Sequence, residues 1–106
     1  ELMLLHSVAG SLRGGHSHSC DEVVLLLSGK MRYLKHINGL ANDTQIKLMA
    51  GGDLSYNPAG QNHMGEFLED SWVVEYKFAK KGEWTQANYP PYREQVEERA
   101  RASNQG

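Results

Sequence analysis

The sequence predicts a small all-β domain, a sandwich or barrel, followed by one C-terminal helix. Three observations lead there. Turn signals recur at roughly 8- to 14-residue spacing, the rhythm of a β-sandwich or barrel. Glycine is frequent, at 11 of 106 residues, and proline scarce, at 3. The apolar period changes from two towards four only after Pro90-Pro91. A chain of this length holds one domain with a modest core, so support from a partner chain is expected.

Residues 2–8 suit a first strand, which ends at Gly10. A glycine cluster (Gly10, Gly14, Gly15) then leads to His16 and His18. Residues 23–27 are apolar at odd and even positions alike, so both faces should be covered, as in a central sandwich strand or at a subunit interface. Ser28-Gly29-Lys30 is a turn signal, and residues 31–37 return as the partner strand. Asn38-Gly39 makes another break. Ile46 and Leu48 then alternate with Gln45 and Lys47, and Gly51-Gly52-Asp53 turns the chain again. Leu54 and Tyr56 precede Pro58-Ala59-Gly60. Beyond His63, Trp72, Val74, Tyr76 and Phe78 alternate with Ser71, Val73, Glu75 and Lys77 at a period of two. Residues 92–102 read as a helix whose thin apolar stripe is Tyr92, Val96 and Ala100. Ser103 to Gly106 should be a frayed tail. The expected division is a β-barrel over residues 1–88 and a helical extension over 89–106.

Charge narrows the functional classes. Eleven Lys+Arg against 13 Asp+Glu give a net charge of -2, without the basic excess of a nucleic-acid binder. Residues 23–27 form the longest apolar run, far short of the roughly 18 to 20 residues of a membrane helix. Neither nucleic acid nor membrane is therefore an expected partner. The single cysteine, Cys20, rules out an intrachain disulfide framework. The chain opens at Glu1 with no signal-like segment, which suggests a trimmed chain and leaves the cytoplasm as the default location.

The histidines carry the chemical signal. His16 and His18 are two apart, so on a strand both imidazoles project from one face. Glu22 follows after a short Ser19-Cys20-Asp21 turn, from which its carboxylate can come back to the same point. His63 stands just past a Pro-x-Gly turn that could aim it inward. Three neutral imidazoles and one carboxylate suit a divalent transition metal with open coordination positions. Each histidine alone would more often be a surface or satisfied core residue; the surrounding spacing reverses that balance.

Outward from the ligands the chain reads Gly10, five residues, His16-x-His18, three residues, Glu22, six residues, Gly29. Further on it reads Gly52, five residues, Pro58-x-Gly60, two residues, His63. These strings resemble the two signature motifs of the cupin superfamily, G-x5-H-x-H-x3–4-E-x6-G and G-x5-P-x-G-x2-H-x3-N. All fixed positions of the first are met, and all but the last of the second, where Phe67 replaces the motif's Asn. The resemblance implies a compact jelly-roll β-barrel with metal ligands His16, His18, Glu22 and His63. Iron, manganese, nickel, cobalt, copper and zinc all accept this set. The substitution at Phe67 implies a local change in the turn without loss of a ligand.

Among the other side chains, Arg13 could anchor an anionic substrate bidentately, with a solvated loop charge as the bland alternative. Tyr56, two residues before the Pro-x-Gly turn, is a candidate for substrate contact and catalysis. Tyr33 and Tyr76 suit the barrel core better than a pocket wall. His36 reads as a surface residue and His6 has no assignment. Cys20 suits a small half-buried hydrophobe, with a redox-sensitive thiol as the sharper reading. Trp72 and Trp84 suit packing anchors, Trp84 under the C-terminal segment.

Three functions fit. One is a metal-dependent enzyme on a small polar substrate, a sugar or carboxylate, in which Glu22 could double as proton acceptor. Another is a non-catalytic small-molecule or sugar-binding module. A third is suggested by Arg13-Gly14-x-His16-x-His18, which also resembles the string of metal-free nucleotide-sugar isomerases and epimerases, where histidine is the general base. The few residues before Gly10 should leave a sheet edge open. With the doubly apolar strand and striped helix, that edge makes a homodimer the expected assembly.

Overall fold

A computed structural model of the chain describes residues 1–36 and 44–105. The turn expected at Asn38-Gly39, the end of the strand expected over 31–37, and Gly106 of the expected tail lie outside the described residues.

Among the described residues, nine strands and one helix follow in order: β1 (Leu2–Ser7), β2 (Leu12–His18), β3 (Glu22–Ser28), β4 (Lys30–His36), β5 (Thr44–Ala50), β6 (Leu54–Asn57), β7 (Asn62–Phe67), β8 (Ser71–Lys77), β9 (Gln86–Asn88) and α1 (Pro90–Gln105). They form two antiparallel sheets, β1-β8-β3-β6 and β5-β4-β7-β2-β9. Short turns pass the chain from one sheet to the other, the jelly-roll arrangement. Between the sheets Val24, Leu26, Met31, Tyr33, Met49, Phe67 and Val73 make the buried core. Phe67, in place of the motif's Asn, fills that core rather than bonding across the turn. Its backbone still donates to Ser11 O at 3.0 Å.

A bulge in β2 determines what faces inward. Gly14 pairs with Met64 and His16 with His63, leaving Gly15 as an extra residue. The offset brings Arg13 onto the inner face together with His16 and His18. Only glycine suits the position: its φ is +80°, and a Cβ there would lie 2.6 Å from Arg93 Cα and 2.7 Å from Arg93 N. Helix α1 therefore sits directly on the bulge. Two prolines open it, supplying no N–H at positions where a helix has no acceptor for one. The next donors, Tyr92 N and Arg93 N, reach Tyr89 O at 3.0 and 2.8 Å. Tyr92 and Val96 bury against Met64 in a second apolar cluster.

Several sequence expectations change. On β8 the alternation is present but inverted: Ser71, Val73 and Lys77 are buried, whereas Trp72, Tyr76 and, beyond the strand, Phe78 are exposed. Tyr76 is thus not core, and Trp72 lies at a tilt against the His6 ring at the surface, with centroids 4.7 Å apart. Ile46 and Leu48 likewise face outward on β5. Among the described residues β3 is covered on one face alone, by way of Val24 and Leu26. His36 is buried rather than exposed, stacked on the Tyr89 ring at 4.7 Å. The helical stripe continues from Val96 to Arg99, which bonds Gly10 O and Glu66, and leaves Ala100 exposed. The helix begins two residues earlier than expected and runs through Ser103 to Gln105 instead of fraying.

Candidate metal centre

The three histidines of the motifs meet at one point. One potential ligand nitrogen from each of His16, His18 and His63 lies within 4.8 Å of the others. His16 and His18 share the inner face of β2, and His63 stands opposite His16 on β7. The ring centroids are 4.7 Å apart for His16–His18 and 5.1 Å for each pair with His63. His63 Nδ1–H donates to Gln61 O at 3.1 Å, a carbonyl that can only accept, so its Nε2 lone pair is left for the cluster.

Burial disfavours the charged form of all three imidazoles. His16 is lowered to about 3, by burial first and then by repulsion from His63 and His18. Burial also lowers His63 and His18, in both cases against the attraction of Glu22. His16 Nδ1 is buried without a hydrogen-bond partner. Clustered neutral imidazoles with an unpartnered nitrogen among them match what a divalent transition metal requires.

Glu22 opens β3 and is among the most deeply buried side chains. Its Oε1 lies 3.6 Å from His63 Nε2 and its Oε2 lies 3.8 Å from His18 Nδ1. The carboxylate is also held from behind. Lys77 Nζ approaches Oε2 at 3.0 Å, and Asn57 Nδ2 donates to Oε1 at 3.2 Å and to the Tyr33 hydroxyl at 2.6 Å. Lys77, which burial alone would push down, is held above its usual range by Glu22 and then Glu75. Burial, then Glu22, pushes Glu75 up.

The histidines open onto a cavity of about 160 Å³ between the sheets. Arg13, Glu75 and Lys77 line it with them, and Met3, Leu5, Val24, Met31, Phe67 and Val73 supply an apolar floor. Trp84 belongs to this cavity and not to the underside of the helix: its ring lies 4.8 Å from Lys77 Nζ and edge-on to His18. Its Nε1–H donates to the Glu1 carboxylate at 2.9 Å. Tyr56 stands elsewhere, exposed on the outer face of β6, with its hydroxyl donating to Asp21 Oδ2 at 2.7 Å. Cys20, in the turn between His18 and Glu22, is free and half-buried.

Sequence reasoning passed over Lys77, Glu75 and Asn57. The first two lie on the polar side of β8, which apolar counting assigns to solvent. Their shared parity with buried Val73 was the available signal, since one strand face carrying both a valine and an ion pair can be the wall of a polar cavity.

Solved structures with this architecture include the capsular polysaccharide assembling protein CapF from Staphylococcus aureus (TM-score 0.67, 22% identity, 76% of this chain and 24% of that one). A variant of Bacillus subtilis oxalate decarboxylase superposes with a TM-score of 0.68 at 21% identity, covering 82% of this chain and 23% of the other. The Drosophila melanogaster CENP-C cupin domain gives 0.62 at 11% identity, over 72% of this chain and 59% of that one. The chain therefore has the cupin fold, the fold that its motifs imply. The chain spans about a quarter of the length of CapF and of the decarboxylase. No protein-family model matches the sequence, and no curated protein does. Among the described residues, no helix is long and apolar enough to cross a membrane.

Proposed function

We propose that this chain is a metal-dependent cupin enzyme acting on a small carboxylate or similarly polar substrate. The convergence of His16, His18 and His63 carries the reading. These three would hold a divalent transition metal, with Glu22 completing the set from its position beside His18 and His63. When bound, such a metal supplies Lewis acidity or oxygen activation at its open positions.

The remaining roles belong to the chain's own side chains. Arg13 faces the same cavity and offers a planar fork for a substrate carboxylate. Lys77 and Asn57 orient the Glu22 carboxylate, as hydrogen-bonded neighbours of metal ligands generally do. The apolar floor limits water near the reacting group, and the small volume favours a substrate of few heavy atoms. A metal-free isomerase needs a single histidine base; three imidazoles converging on one point, where burial disfavours their charged forms, favour the metal reading.

The test is metal analysis after reconstitution with each first-row divalent ion. Near-stoichiometric binding is expected, with His63→Ala losing the metal while the β-sheet circular dichroism is unchanged. Occupancy below ~0.2 equivalents for every ion would refute the proposal.

A further inference from the structure

The outer face of the four-stranded sheet carries two apolar rungs, with His6 and Trp72 beyond them, and nothing among the described residues covers it. Strand register arranges it in rungs. Leu2 pairs with Tyr76, Tyr76 with Val23, and Val23 with Tyr56, giving one rung across β1, β8, β3 and β6. The next rung, two residues on, is Leu4, Val74, Leu25 and Leu54. Neither rung contains a charged side chain. The other sheet is different: α1 packs across β2 and buries its apolar cluster there. The described residues thus stack as helix, sheet, cavity, sheet, with the last layer bare among them.

The area is too large for a free surface. The rung residues of the two flanking strands and Tyr76, with Leu27, Trp72 and Phe78 beside them, are each 42% to 67% exposed, while Val23, Leu25 and Val74 at the middle are partly exposed. Taking about 180 Å² for a leucine and about 200–250 Å² for an aromatic, they present on the order of 800 Å². Free monomers rarely expose a contiguous apolar patch above a few hundred Å², whereas a stable interface buries about 800 Å² per partner.

From this match we propose that the face binds a second copy of the same chain, sheet against sheet across a two-fold axis. An uncharged apolar grid is self-complementary, because it has no sign that a partner must oppose, and isologous pairing lets both copies bury the same patch. Aligned packing of the two outer faces would give the spacing of a β-sandwich, about 10 Å. The proposal does not depend on the metal centre.

The experiment is sedimentation equilibrium on the full chain between about 1 and 100 µM, with Val74→Lys and Val74→Glu as probes at the middle of the grid. The wild type is expected at twice its 11.9 kDa mass. Each variant alone should dissociate at least ~100-fold more readily, since two like charges meet across the axis in an apolar setting. An equimolar mixture of the two should recover dimer, which a variant that merely misfolds cannot do. A monomeric wild type at 100 µM would overturn the proposal, as would dimers of undiminished affinity in both single variants. Failure of the mixture to associate, with both variants folded by circular dichroism, would also overturn it.

Discussion

Replacing Lys77 by methionine isolates what holds Glu22 in place. Methionine keeps most of the length and volume of the side chain and removes the ammonium. Glu22 is 1% exposed, and Lys77 Nζ at 3.0 Å is its nearest cation. Removing one member of a buried ion pair costs about 3–5 kcal/mol, chiefly because the remaining charge is stranded. Here the lower end applies. Asn57 still donates to the carboxylate, so the stranded charge keeps one hydrogen bond. We expect Lys77→Met to lose about 3 kcal/mol in urea unfolding at neutral pH with a chelator present. Adding Glu22→Gln should recover more than half of that loss, because no stranded charge remains. If Glu22 is a metal ligand, a saturating divalent ion should stabilise Lys77→Met more than wild type. A cost below about 1 kcal/mol, or a double variant no more stable than Lys77→Met alone, would refute the role given to this pair.

Two further outcomes follow from the packing around β2. Gly15→Ala should destabilise the fold by about 2–4 kcal/mol in urea titrations, from the left-handed backbone and the clash with Arg93. It should also weaken metal binding, since the same bulge aims His16. Stability should fall on the acid side through Glu66, whose pKa is depressed by Arg32 and Arg99 against the opposing effect of burial. Its contribution is complete above the unfolded value of 4.5 and is lost as pH drops through the lower folded value, so the urea midpoint of Glu66→Gln should depend less on pH there.

Much of this architecture was legible because period-two patterns and fixed spacings report strand faces directly. His16 and His18 share a face by parity alone, and the Pro58-x-Gly60 turn does precede the strand bearing His63. The inward face of β8 was not legible from hydrophobicity. When a cavity between sheets is polar, its wall carries Glu75 and Lys77, and the bulky residues of the same strand are turned outward. Apolar counting then points the wrong way. His36 was misread for a related reason: it stands beside Lys35 and just before a turn signal, but Tyr89, 53 residues on, returns to stack over it. The bulge at Gly15 depends on the helix that follows much later, so no local pattern announces it.

The two-sidedness of β8 bears on how reliably the sheet can assemble. A one-residue slip against β3 would turn every β8 side chain to the opposite face. Tyr76 and Trp72 would then crowd the cavity, while Glu75 and Lys77 would be stranded on an apolar surface far from Glu22. The correct alignment is thus specified twice, by ion pairing on one side and by hydrophobic rungs on the other, and an error must violate both at once. Strand β5 has no such redundancy: Met49 is its one buried apolar residue, and Ile46 and Leu48 point away from the core. Misalignment during folding should therefore concentrate at β5 and spare the strand that carries the lysine.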